Sequence, residues 1–183
     1  SPAGSAIASL YGDAGAVTAV GGSGGIAAVA AVTCGADGRF HDRFWSEFPS
    51  SRRYPTRITL ADLEAGKHYL KIDREHVSQF GREKLPESIR ETLAARDASV
   101  DDVDLFILSH VFPEVAHDAA RSLSLPAERV VVAGTEHGHL TAASLPVALN
   151  LARDGGRVAS GARVCLAACG AGYAWGSALL EFA

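Results

Sequence analysis

Methionine is absent from all 183 residues, position 1 included. The sequence is therefore expected to be a trimmed or processed piece of a longer product. Cysteine is scarce, and the odd set Cys34, Cys165 and Cys169 favours a reducing, cytoplasmic setting over a disulfide framework. Cys165 and Cys169 have no Cys or His partner at zinc spacing, so they read as small buried residues and no metal or cofactor is called for. Lysine is nearly missing: only Lys67, Lys71 and Lys84 stand among the 17 basic residues. A net charge of −4 gives no indication of nucleic acid or a membrane surface as a partner. No apolar run reaches the ~18 residues of a membrane span, and the first residues lack the charged start of a signal peptide.

What is present is an apolar composition of 48%, dominated by Ala, Gly and Val and sufficient for the core of about one domain. Residues Ile7 to Val20 are small and apolar, Ile26 to Thr33 are rich in β-formers, and Gly21-Gly22-Ser23-Gly24-Gly25 separates them. The pattern predicts two strands joined by a glycine turn. It resembles a phosphate loop only superficially, because the Gly-Lys-Ser/Thr ending is missing. Residues 36–71 show no period and predict a long surface excursion with one short helix near Leu60 to Ala65.

Beyond that, apolar residues at Val77, Phe80, Leu85, Ile89 and Leu93 recur at helical spacing, predicting a helix over Asp73 to Arg96 that Pro86 kinks or divides. Val103 to Leu108 is a buried strand. Pro113 to Leu123 is a helix, Val130 to Ala133 a strand, and Thr141 to Arg153 a helix with Pro146 in its first turns. Val164 to Ala168 and Ala174 to Phe182 are two strands joined by Gly170-Ala171-Gly172. Helices alternating with buried strands imply an α/β layer ending in a β-hairpin. His41, His68, His76 and His117 are scattered and read as surface residues. Cys34 lacks the helix-start context of a nucleophile.

Two runs carry a family resemblance: His137-Gly138-His139-Leu140-Thr141-Ala142-Ala143-Ser144-Leu145-Pro146 and Cys169-Gly170-Ala171-Gly172-Tyr173-Ala174-Trp175-Gly176-Ser177-Ala178. Together with the order of elements from Ile72 to Phe182, they resemble the C-terminal half of ketoacyl-acyl-carrier-protein synthase III, a condensing enzyme of the thiolase superfamily. Tyr11-Gly12-Asp13-Ala14-Gly15-Ala16-Val17 is similar to the strand that closes that family's N-terminal half. The resemblance implies an α/β thiolase-like layered fold in three parts. Residues 1–35 form the closing hairpin of the N-terminal half, 36–71 a crossover, and 72–183 the C-terminal half. It further implies a homodimer, acyl-CoA or acyl-carrier-protein thioesters as substrates, and a nucleophilic Cys on a helix start in an N-terminal half that lies outside this sequence.

By the same resemblance His110 and His139 are the catalytic pair, Ala171 donates its N–H to an oxyanion, and Phe112, Gly138 and Gly170 line the substrate site. His137 reads as structural. The sequence departs from the family in three places. An ungapped match puts Ser109 in the position of the family His, so His110 needs a bulge to face the site. His139 stands where the family has Asn, and unlike Asn an imidazole can act as a base. Pro113 and Arg74-Glu75 replace family contacts to coenzyme A. Decarboxylative condensation in fatty-acid or polyketide-type biosynthesis is the first reading. Acyl transfer to an alcohol or amine, and a non-catalytic subunit of a condensing heterodimer, stay open.

Overall fold

The computed structural model describes residues 7 and 9–183. Five strands form the main sheet: β1 (Ala27–Ala36), β4 (Leu105–Ser109), β5 (Val130–Val132), β6 (Arg163–Gly170) and β7 (Ala174–Phe182), in the order β1-β7-β6-β4-β5. β4 runs parallel to both β5 and β6, while β7 is antiparallel to β6 and β1. All five residues of β4 are buried, as expected of a parallel strand flanked on both sides and covered on both faces.

The described residues form four α-helices, α1 (Leu60–Glu64), α2 (Arg74–Ala94), α3 (Pro113–Ser122) and α4 (Ser144–Asp154), of which α2, α3 and α4 pack on the sheet. The chain moves outward from β4 to β5 through α3, then back past β4 to β6 through α4. With a constant crossover hand, opposite directions of travel put the two helices on opposite faces. The apolar clusters agree. Val77, Leu85, Ile89 and Leu93 of α2 and Val115 and Ala119 of α3 pack with Phe106 and Leu108 on one face. Ala148 and Ala152 of α4 pack with Leu105, Ile107 and Val164 on the other.

The helix over Asp73 to Arg96 forms as one continuous element, Arg74–Ala94, with Pro86 inside it. Leu85, Ile89 and Leu93, around and beyond the proline, are held in the core, so tertiary burial overrides the local break. Pro146 falls in the first turn of α4, where its missing N–H has no intrahelical partner to lose. The residues before it, Thr141–Ala143, form a separate 3-10 turn.

The glycine-turn hairpin is not formed as expected. Residues 1–6 and 8 lie outside the described residues. Residues 12–25 belong to no strand and Val17 is fully exposed. The expected second strand exists as β1, but its partner is β7 rather than Ile7 to Val20. A five-residue glycine-rich link does not fix a register, and a two-stranded ribbon without a packed face is marginal. β7 offers β1 a long antiparallel ladder instead. The excursion holds α1, whose Thr59 and Asp62 form a reciprocal capping box, and a short pair of strands, β2 (Phe44–Trp45) and β3 (Lys71–Ile72).

Candidate active site

β6, β4 and β5 are adjacent and parallel, so their carboxyl ends lie along one edge of the sheet. The direction of strand travel reverses at β4, the place where open α/β sheets leave a crevice. His110 follows β4, the Gly134–His139 loop follows β5, and Ala171 follows β6. The topology thus brings together three groups that are 29 and 32 residues apart in sequence.

β4 carries no bulge before His110. The ladder is regular through Ser109, which pairs with Ala168, and His110 is the first residue beyond it. Outside the strand, the alternation of side chains no longer dictates its direction. It is 1% exposed. The Phe112 N–H lies 3.0 Å from its Nδ1, and the Phe112 carbonyl lies 3.2 Å from the same nitrogen. Burial pulls its pKa down to about 4; the nearby His139 adds to this, and backbone contacts with Phe112 and Val77 oppose it. His110 is therefore neutral at pH 7. Gly81 of α2 makes room for the ring. A Cβ there would come within 2.7 Å of His110 Nε2 and 2.8 Å of Val115 Cγ1. A glycine inside a helix costs about 1 kcal/mol, and that is the sequence signal that could have revealed this socket.

Phe112 precedes α3 and is buried. The Arg74 guanidinium lies 4.4 Å over its ring and donates to Glu114 at 2.5 Å. Its backbone holds His110 while its side chain is covered, so it reaches the site through the N–H rather than through an open ring surface.

His139 is held by the segment that opens the chain. Its N–H donates to the Leu10 carbonyl at 2.7 Å, and Gly12 N–H donates to its carbonyl at 3.3 Å. The Tyr11 ring meets the imidazole edge-on at 5.6 Å, and burial lowers the His139 pKa. Its Nδ1 is buried without a hydrogen-bond partner among the described residues. A buried N–H without an acceptor is costlier than an unpaired lone pair, which favours the proton on Nε2 of His139. Gly138 has a positive φ of 74°, and a Cβ there would lie 2.9 Å from Gly12 N, so glycine is required by both conformation and contact. The His137 side chain is exposed, but its carbonyl packs against Gly12. Tyr11 and Gly12 were legible only as a family-like strand; that they clamp His139 was not.

Ala171 is exposed at the turn between β6 and β7 and keeps a negative φ, while Gly172 takes the unusual φ of 138°. The next residue, Tyr173, is buried. His76, expected at the surface, is half-buried against it, and His68 is half-buried as well. Cys165 and Cys169 are buried as expected, and burial pushes both thiols up to about 12. Among the described residues no cluster of His, Cys, Asp and Glu could hold a metal, and no helix is long and apolar enough to cross a membrane.

Comparison with known proteins places this geometry. Residues 93–182 match the family described as 3-oxoacyl-[acyl-carrier-protein (ACP)] synthase III C terminal. A curated beta-ketoacyl-[acyl-carrier-protein] synthase III of Thioalkalivibrio sulfidiphilus is 35% identical over 149 residues, covering 80% of this chain and 44% of the relative. That of Rhizorhabdus wittichii is 31% identical over 175 residues, covering 94% and 51%. The chain therefore spans about half the length of the curated relatives it matches. The solved synthase III of Thermus thermophilus superposes with a TM-score of 0.72 at 26% identity, covering 85% of this chain and 46% of that one. The sheet with helices on both faces is the thiolase-like arrangement of that enzyme. Through residues 93–182 the chain belongs to the C-terminal family of 3-oxoacyl-[acyl-carrier-protein] synthase III.

Proposed function

We propose that the chain is the histidine- and oxyanion-bearing half of an acyltransferase that makes a carbon–carbon bond between two thioesters. The reading is carried by one observation. His110, His139 and Ala171 stand at the carboxyl ends of three adjacent parallel strands, and burial keeps both imidazoles neutral near pH 7.

The acyl group comes from coenzyme A or a carrier protein and sits as a thioester on a cysteine outside these 183 residues. Cys165 and Cys169 are buried with thiols that do not ionise at neutral pH, so neither serves as the nucleophile. A malonyl thioester then loses carbon dioxide. The electron pair of the broken bond passes into an enolate, whose oxygen is held by the Nε2 N–H of His139 beside the neutral ring of His110. That carbon attacks the acyl carbonyl, the Ala171 N–H stabilises the resulting oxyanion, and the cysteine thiolate leaves. Donors fixed before charge develops lower the barrier most. Gly170 keeps the approach open by having no side chain, Gly138 admits the Tyr11–Gly12 segment that holds His139, and the whole protein works as a homodimer.

A second reading rests on His139 Nδ1. It has no hydrogen-bond partner among the described residues, and in its unprotonated form it would take a proton from an alcohol or amine acceptor, giving acyl transfer with no new carbon–carbon bond. The deciding measurement uses the enzyme assembled with its N-terminal half and labelled malonyl thioester, in wild type and His139→Asn. Asn keeps an N–H but is no base. Carbon dioxide release with a new ketone in both proteins is the expected result. Malonyl passed intact to an acceptor would refute condensation.

A further inference from the structure

Tyr173 lies two residues after Ala171 and is 1% exposed. A phenol so buried needs a partner for its hydroxyl. It finds one across the core, where the hydroxyl lies 3.1 Å from Nδ1 of His76 in the first turn of α2. The backbone is held too. Asp37 N–H donates to the Tyr173 carbonyl at 2.8 Å, and Tyr173 N–H donates to the Asp37 carbonyl at 2.9 Å. Phe80, 4.3 Å away between ring centroids, and Phe40, at 6.0 Å, enclose the ring. Burial raises the phenol to about 12, so it stays protonated.

Ala171 has no such anchorage. It is exposed, and the residue joining it to Tyr173 is a glycine at a conformation other residues rarely adopt. The position of its N–H is therefore inherited from Tyr173. His76 in turn is fixed to a rigid element. Its N–H donates to Asp73 Oδ1, the N-cap of α2, at 3.2 Å, and its ring packs on Phe40 at 4.6 Å.

We infer that His76 is a positioning residue of the reaction. Its contact with the Tyr173 hydroxyl ties the 170–173 turn to α2 and so aims the Ala171 N–H at the thioester oxygen. The inference rests on the assignment of Ala171 as oxyanion donor in the proposed reaction. His76 touches no reacting atom and acts only through Tyr173. Displacing a preorganised group by about 1 Å costs up to about a hundredfold in rate.

The test compares His76→Leu, Tyr173→Phe, their double variant and His76→Asn in the assembled enzyme. His76 lines a cavity of about 630 Å³ with Phe40, Phe80 and Trp175, so leucine can be placed there without crowding the core. The Asn amide nitrogen takes the place of Nδ1. Amide hydrogen exchange is expected to quicken about tenfold at residues 171–173 in the Leu and Phe variants, and to stay unchanged in β6 and β7. In the same variants kcat is expected to fall about tenfold to a hundredfold at constant KM for the malonyl thioester. His76→Asn is expected to restore both readouts, and the double variant to be no worse than either single one. Unchanged exchange at the turn would overturn the inference whatever the activity. Faster exchange throughout the sheet would do so as well, by reducing His76 to a general stabilising residue. Faster exchange confined to the turn, with wild-type kcat, would instead overturn Ala171 as the donor and remove the reaction role of His76 with it.

Discussion

The two faces of the sheet are finished to different degrees. On one, α2 and α3 bury a continuous cluster from Val77 to Leu179 that includes the socket of His110. On the other, α4 alone covers a smaller cluster. Ala27 of β1 packs there, and alternation puts Val29 beside it. A bulge between Val29 and Ala31 then advances the alternation by one residue, so Val32 faces the same side. Val29 is 58% exposed, Val32 61%, and Leu151 of α4 52%. Apolar side chains gathered on one face mark a surface built to be covered. The site belongs to the closed face and the strand ends, where rigidity serves chemistry. The open face suits docking of the N-terminal half that the proposed reaction requires.

The comparison breaks most readily at Ile89, which is wholly buried on the closed face. Ile89→Ala should cost about 2–5 kcal/mol, read as a shift of the urea midpoint at constant slope. A loss under 1 kcal/mol would mean that this face is looser than its packing implies.

The acid response of the same face comes next. The folded pKa of His110, about 4, lies below its unfolded value of about 6.5. As pH falls through 6.5 the unfolded chain takes up a proton that the folded chain refuses, so stability drops until pH reaches about 4 and then levels off. His110 alone should cost roughly 3 kcal/mol across that window, and His139, shifted the same way, should add to it. Urea midpoints at pH 7, 5 and 4 should show a smaller drop in His110→Gln than in wild type. Equal drops in the two proteins would place the titration elsewhere.

The smallest effect is expected on the open face. Val32→Asp should change the stability of the 183-residue chain by less than about 0.5 kcal/mol, as at an ordinary exposed position. It should make that chain more soluble, and it should abolish co-purification with the N-terminal half. Undiminished pairing would show that this face is not the docking surface.

The helices, the buried strand β4 and the β6–β7 hairpin were legible because each is written locally. Apolar residues 3–5 apart from Val77 to Leu93 mark α2, an unbroken apolar run marks β4, and Gly170 to Gly172 mark the turn. The His139 loop was legible through its family-like run from His137 to Pro146, in which Gly138 meets a backbone requirement. The pairing of β1 was not, because Ile7 to Val20 and β7 are both plausible partners by composition and only the length of the ladder separates them. His76 looked like one of several scattered histidines, since nothing near it in sequence predicts a phenol 97 residues away.

By itself, then, the sequence determined the main helices, the strands from β4 to β7, and which residue types the site could draw on. Periodicity, propensity and φ limits act over a few residues. Only the tertiary structure decided that His110 lies beyond the ladder rather than in it, that its charge is suppressed by burial, and that Tyr11 packs on His139 while His76 meets Tyr173. Burial and hydrogen-bond partnership between distant segments depend on where the whole chain goes, and no local pattern encodes them.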